Sequence, residues 1–393
     1  MSPEPVGPVN ELAGHPRIDA VSTDIAAFIG YTAKAQSPEK SLARVPTTVR
    51  SLIEYEQFFG GPSAAGAPYL LFDSLTLFFA NGGRQCLIVS VGNYDEPIAK
   101  QALLDGLTPL EAQLSVAIVV MPETVRLPRQ DGIEAQRALL AHCGNITRNR
   151  FAILDIPAGD QPLHPTSPVA AFAGGLSAAH LAYGAAYYPW LIFAPPRLLG
   201  GTIAIPPGAA VAGLFATIDN TRGVWKAPAN VSISAVAGPA VSLTASDQEA
   251  LISVTTGVGV NGIRSFPGMG TLVWGARTLD TLSLDWRYVS VRRTALMIEE
   301  SVRLALRAFV FEPHVPVTWM VVRSMVQDFL LQLWRAGALP GATPQQAFSV
   351  KIGLGETMTP QDVDAGHMIL EMFIALVRPD EFIVFTIDQN MSS

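Results

Sequence analysis

Five short runs of almost unbroken aliphatic and aromatic residues set the strongest limit on how this chain folds. They are "DIAAFIG" from Asp24, "QCLIVSVG" from Gln85, "SVAIVVM" from Ser115, "FAILDI" from Phe151 and "WLIFA" from Trp190. A strand with one wet face alternates apolar and polar residues. A run this continuous needs cover on both faces, as in the buried parallel strands of α/β folds. Helical patterns separate the runs. "YLLFDSLTLFFANGG" is closed by Gly82 and Gly83, residues suited to a helix C-terminus. "PIAKQALLDGL" and "GIEAQRALLAHCG" follow the second and third runs, and "AAFAGGLSAAHLAYGAAYY" reads as one long small-residue helix before the fifth. The expected fold class is α/β (α+β overall), with a central, largely parallel sheet closed by "WLIFA".

Beyond residue 195 the pattern changes. "VSISAVAGPAVSLT" alternates in period two on both sides of Gly238–Pro239, which predicts a β-hairpin held off any central sheet position by Pro239. Two long helices follow. The first, from Thr294 to about Phe311, turns Ile298, Val302, Ala305 and Phe309 inward and sets Glu299 and Arg303 at i,i+4 spacing outside. The second carries Trp319, Val322, Val326, Phe329, Leu330 and Leu333 on one face and ends at Gly337 and Pro340. The last segment, "DEFIVFTIDQNMSS", is a strand with two apolar faces: Phe382 and Val384 on one, Ile383, Phe385 and Ile387 on the other. Such a strand must be covered. It either completes the chain's own sheet or is donated to a neighbouring subunit.

Composition narrows the function classes. Hydrophobic residues make up 49% and charged residues 15% of the 393 residues, against about 25% charged in a typical soluble chain. No apolar run reaches the roughly 18 residues that span a bilayer, so direct membrane insertion is not expected. "MSPEPVGPVNELAGHPRI" has neither a basic n-region nor an apolar core, so it is no signal peptide and free subunits are expected in the cytoplasm. A lightly charged, apolar chain of this kind buries surface against other chains. The net charge of −7 argues against nucleic acid as a partner. Cys86 and Cys143 read as reduced core thiols of an intracellular protein.

Gly257, Gly259 and Gly262 spell the dinucleotide fingerprint G-x-G-x-x-G. That motif needs a strand before it and a helix after it. Here "SDQEALISV", with Ser246 and Glu249 at capping-box spacing, predicts a helix before it, and Pro267 forbids a continuous helix after it. Asp280 and Asp285 lie in a loop-like stretch, not at the strand end where a ribose contact belongs. The glycines are read as a loop, and no cofactor is expected. Asp155 at a strand end and His180 on a following helix could be two members of a subtilisin-ordered triad, but no serine follows in a fitting context. No catalytic residue is assigned. His15, His142, His164, His180, His314 and His367 show neither i,i+4 pairing nor H-E-x-x-H, so no metal is expected. Glu299 and Glu300 are read as a solvated helix face.

"GVNGIRSFPGMGTLVWGARTL", "WRYVSVRR", "MIEES", "FEPHVPVTW", "LWRAGALPGATPQQAF", "GLGETMT" and "VRPDEFIVF" occur in order from Gly259 to Phe385. Together with "PYLLFDSLTLFFANGGRQCLIVSVG", "FAILDIP", "AAYYPWL" and "TRGVWKAPANV", they resemble contractile tail sheath proteins of phages and of phage-tail-like injection systems, over roughly Val21 to Phe385. The resemblance implies a non-enzymatic structural subunit with a subtilisin-like central topology. It would stack as six-fold rings around an inner tube and contract to drive that tube through a target envelope. It also implies an arm over 1–20, a core over 21–255 with a variable hairpin region at 226–245, a C-terminal sheath domain over 256–380 and a terminal strand over 381–393. Partners implied are other copies, sheath paralogues, the inner tube protein, and baseplate and cap proteins. Phe382, Ile383, Val384, Phe385, Thr386 and Ile387 match the strand that the family shares between subunits. Pro5, Pro8 and Pro16 depart from the family's strand-forming arm, which keeps open a specialised paralogue forming a non-polymerising ring near the baseplate or cap. A subtilisin-like hydrolase is the remaining alternative. A helix of the family also contacts the inner tube, and the residues that do so here are unassigned.

Overall fold

The computed structural model describes residues 17–176, 179–198, 200–252 and 257–391. Residues 1–16 of the expected arm lie outside the described residues. The chain divides into two compact units, Ser22–Met297 and Ile298–Ser393 with the residues up to Val21.

Twelve strands belong to the larger unit among the described residues. In chain order they are β1 (Ala26–Thr32), β2 (Thr47–Val49), β3 (Cys86–Asn93), β4 (Ile118–Val120), β5 (Phe151–Asp155), β6 (Gly184–Tyr188), β7 (Leu191–Phe193), β8 (Ile203–Ile205), β9 (Val231–Ser232), β10 (Val236–Pro239), β11 (Asn261–Phe266) and β12 (Gly270–Val273). The main sheet has the order β2-β3-β1-β4-β5-β6-β11-β12-β9. Its central strands, β3 to β11, pair in parallel, and β2, β12 and β9 add antiparallel partners at the two ends. Both faces are covered, as the unbroken apolar runs require. In β1, Ala27, Ile29 and Tyr31 enter one buried cluster and Ala26 and Phe28 the other.

Seven helices of this unit carry the argument: α1 (Leu52–Phe59), α2 (Leu71–Ala80), α3 (Lys100–Asp105), α4 (Arg129–Ala141), α5 (Pro168–Gly175), α6 (Gly208–Arg222) and α7 (Ala245–Leu251). Residues of α1, α2 and α6 pack on one face of the sheet, and those of α3, α4, α5 and α7 on the other. As expected, α2 ends on its glycines: Gly82 has φ +94°, and the Gly83 amide donates back to the Phe78 carbonyl at 3.0 Å.

Several sequence expectations are corrected. The long helix expected through "AAFAGGLSAAHLAYGAAYY" ends at Gly175, and "GAAYY" is β6, fully buried between β5 and β11. Its small side chains suit a strand sandwiched by two layers: Ala185 faces one cluster and Ala186 the other. "WLIFA" does not close the main sheet. Its strand β7 sits in a small antiparallel sheet of order β10-β7-β8, after Pro189 ends β6. The hairpin expected at Gly238–Pro239 is absent from that position: β9 edges the main sheet, β10 belongs to the small one, and Pro239 lies inside β10. The edge position expected for Pro239 is what the small sheet shows.

The helix predicted before the glycine motif is α7. Its capping box uses Thr244 and Asp247 in place of Ser246 and Glu249. The motif itself is not a loop throughout. Gly257 takes φ +72°, but Gly262 lies in β11, which forms a hairpin with β12. A Cβ at Gly262 would sit 1.9 Å from Gln248 Oε1, so glycine is there for close approach of α7 to the strand. Residues 257–297 group with the larger compact unit.

Helix α8 (Val289–Leu306) starts five residues before the expected Thr294, begins in the larger unit and ends in the smaller. Within the larger unit its Arg293 forms a buried clamp. Nη1 and Nη2 donate to Asp219 Oδ1 and Oδ2 of α6 at 3.0 and 2.6 Å, and Nη2 donates to the Thr23 carbonyl at 2.8 Å. Thr23 Oγ1 donates to the same carboxylate at 2.7 Å, and the guanidinium lies 4.6 Å over the Phe215 ring. In the smaller unit, Arg303 pairs with Glu300 at i,i+3, and Glu300 is buried, which corrects the solvated reading of that residue. The next helix, α9 (Pro316–Arg335), buries Trp319, Val322, Val326, Phe329, Leu330 and Leu333 as its periodicity predicts.

Candidate functional site

The terminal strand belongs to a three-stranded antiparallel sheet in the smaller unit, built from β13 (Phe348–Lys351), β14 (His367–Ala375) and β15 (Phe382–Asn390) in that order. All six residues singled out in the sequence, Phe382 to Ile387, lie in β15. The strand pairs with β14 along its whole length, from Phe382 opposite Ala375 to Asn390 opposite His367. The turn between them passes through Asp380 at φ +62°.

Alternation assigns the two faces different environments. Ile383, Phe385 and Ile387 stand opposite Ile374, Met372 and Leu370, all three of which are completely buried, and Phe385 is itself 5% exposed. That face is core. On the other face Phe382 is 38% and Val384 50% exposed. Val384 is opposite Phe373, whose ring is 4.7 Å from Lys351 Nζ. His367 Nδ1 lies 3.0 Å from Asp388 Oδ2 across the two strands. Of the two readings left open by the sequence, the structure shows the strand completing its own sheet. Among the described residues β15 is the end strand of that sheet.

The residues considered for catalysis are differently engaged. Asp155 is buried at the end of β5 and accepts from the Gly208 amide at 2.8 Å; burial pushes its carboxyl up to about 7. His180 is not on a helix: it takes φ +68° before a short 3-10 turn and lies edge-on to Tyr183. No hydrogen bond joins it to Asp155 among the described residues. Arg150, fully buried, was not singled out in the sequence. It donates to the Leu110 and Gln113 carbonyls at 2.6 and 2.7 Å and lies 3.0 Å from His142 Nε2. Burial first, then the nearby guanidinium, lower His142 to about 4.

Family models for the phage tail sheath protein central domain and the phage tail sheath C-terminal domain match residues 112–279 and 283–390. The fold aligns with the sheath of an extracellular contractile injection system, the PVC sheath complex in contracted state, at TM-score 0.73 and 30% identity, over 99% of this chain and 98% of that one. The chain belongs to the phage tail sheath family. A second match is a chain of the anti-feeding prophage (AFP) baseplate, 6-fold symmetrised, at TM-score 0.73 and 29% identity over the full length of both chains. The tail sheath protein of Burkholderia phage BcepMu is 26% identical over 188 residues, 46% of this chain. This sheath-family chain thus spans 37% of the length of that curated relative.

Proposed function

We propose that this chain is a structural, non-enzymatic subunit of a contractile sheath, which polymerises as stacked six-membered rings around an inner tube and contracts to drive the tube through a target envelope. The end-to-end alignment with a contracted sheath carries the reading. Phe382 to Ile387 of β15, with apolar side chains on both faces, supply the strand contact between subunits by donation, which adds main-chain hydrogen bonds across the assembly. The inner tube, baseplate and cap proteins are the further partners, and the free subunits are cytoplasmic. Of the two long helices α8 and α9, α9 is the better candidate for the tube contact, because its Val317, Met320, Val321 and Ser324 are exposed, whereas α8 is buried over most of its length.

Negative-stain electron microscopy of the protein expressed alone, then with its tube protein, tests the reading. Long striated cylinders in either condition are expected. Rings only, with or without the tube, would instead favour a specialised paralogue near the baseplate, a reading motivated by Pro5, Pro8 and Pro16 and by the alignment with a baseplate-associated chain. Monomers in both conditions would sink the sheath assignment. Removing residues 382–393 should abolish cylinders while leaving the larger unit folded. Persistence of cylinders would rule out the β15 contact.

A further inference from the structure

At the carboxyl ends of the parallel strands, two buried carboxyl groups hold the starts of two helices. Glu123 follows β4 across Met121 and Pro122 and is fully buried. Its Oε1 accepts from the amides of Leu70 and Leu71, at the start of α2, at 3.1 and 3.0 Å. Asp155, at the end of β5, is 2% exposed and accepts from the amide of Gly208, the first residue of α6. Both helices lie on the same face of the sheet and touch each other: Thr217 Oγ1 of α6 donates to the Asn81 carbonyl just past α2 at 3.0 Å. Space at each carboxyl is left by a glycine. A Cβ at Gly30 would come within 2.4 Å of Glu123 Oε2, and one at Gly208 within 2.8 Å of Asp155 Oδ2.

Burial keeps water from both carboxyls. Main-chain amides of Tyr31 and of Glu123 itself also reach the Glu123 carboxyl, and the titratable groups whose fields act on it are Tyr31 of β1, Tyr55 of α1 and Tyr94 beyond β3, with Arg126 on its own turn as the charged neighbour. Asp155 meets the Gly208 amide, and its main-chain carbonyl takes a hydrogen bond from Gln136 at 2.6 Å. We infer that Glu123 and Asp155 form a paired proton-sensitive latch on the α2–α6 layer, seated when both carboxyls hold a proton and loosened when they lose it.

Burial pushes Glu123, like Asp155, up to about 7, although the amide hydrogen bonds pull each of them down. An ordinary carboxyl in the unfolded chain titrates near 4. The folded state therefore binds more protons between these values. The stabilisation is fully present below about 4 and is lost as pH rises through about 7. The latch is tightest below about 4 and weakens steadily through the mildly acidic range.

The test is the thermal unfolding midpoint of the full chain between pH 5 and pH 8, for the wild type, Glu123→Gln, Asp155→Asn and the double variant. The midpoint of the wild type should fall by about 5–10 °C across this range. Each amide variant should remove part of the fall, and the double variant should be nearly flat. Hydrogen exchange on the wild type gives an independent readout. After correction for intrinsic rates, the amides at residues 70–73 and 208–211 should open more at pH 8 than at pH 5, relative to those of β1. A flat wild-type profile, a double variant that keeps the full slope, or unchanged exchange at these amides would each overturn the latch.

Discussion

Replacing Arg293 by Met tests the clamp that ties Thr23, α6 and α8 together inside the larger unit. The side chains of Arg293 and Asp219 are 4% and 3% exposed, so the pair has little solvent screening. Met keeps most of the aliphatic volume but removes the donors at 3.0 and 2.6 Å to the carboxylate and the one at 2.8 Å to Thr23 O. Asp219 then keeps Thr23 Oγ1 and little else near the lost charge. Breaking a buried pair from one side typically costs about 3–5 kcal/mol, because a charge is stranded in a poor dielectric. Losing the contact with Phe215 adds roughly 0.5–2 kcal/mol more. The expected loss is about 4–6 kcal/mol, or roughly 10 °C in melting temperature for a unit of this size. Chemical denaturation of Arg293→Met, Asp219→Leu and the double variant measures it. The double variant should recover much of the loss, since an apolar pair strands no charge. The reasoning fails if Arg293→Met costs under about 1 kcal/mol, or if the double variant is as unstable as the worse single one.

In the smaller unit, Phe385→Asp would bury a carboxylate opposite Met372 and should cost several kcal/mol or displace β15 from its sheet. Protease sensitivity after residue 375 should rise, and unchanged resistance would show that Phe385 is not held in the core. Cys86 and Cys143 are both buried and unoxidised, and burial raises their thiols, Cys143 to about 12. Neither should react with Ellman's reagent in the native protein, and both should react once it is denatured. Rapid labelling of the native chain would contradict the packing around them.

Much of the architecture is legible in the sequence because a strand covered on two faces leaves a plain record. β1, β3, β4 and β5 coincide with apolar runs, and the buried stripe of α9 with its three- and four-residue spacing. β6 was hidden for the opposite reason. Where two layers press closest, the side chains must be small, and "GAAYY" after a string of alanines then looks helical. β9 and β10 share one alternating stretch yet enter different sheets, because period two records a strand but not its partner. For the terminal site the two-faced apolar pattern at Phe382, Ile383, Val384, Phe385 and Ile387 predicted a strand, and all five lie in the nine-residue β15, while the choice of pairing strand depends on chain contacts that no local pattern encodes. Glu123, Asp219 and Arg293 left no local signal, since a buried charge is recognised only by what surrounds it.

The sheet edges differ in one further respect. In the main sheet the end strands β2 and β9 are three and two residues long, and in the small sheet β10 carries Pro239. Those edges are too short or too interrupted to template another chain. β15 is nine residues long and apolar on its outer side at Phe382 and Val384. The apolar side chains that β15 leaves in water at Phe382 and Val384 therefore weigh on how soluble the isolated smaller unit would be.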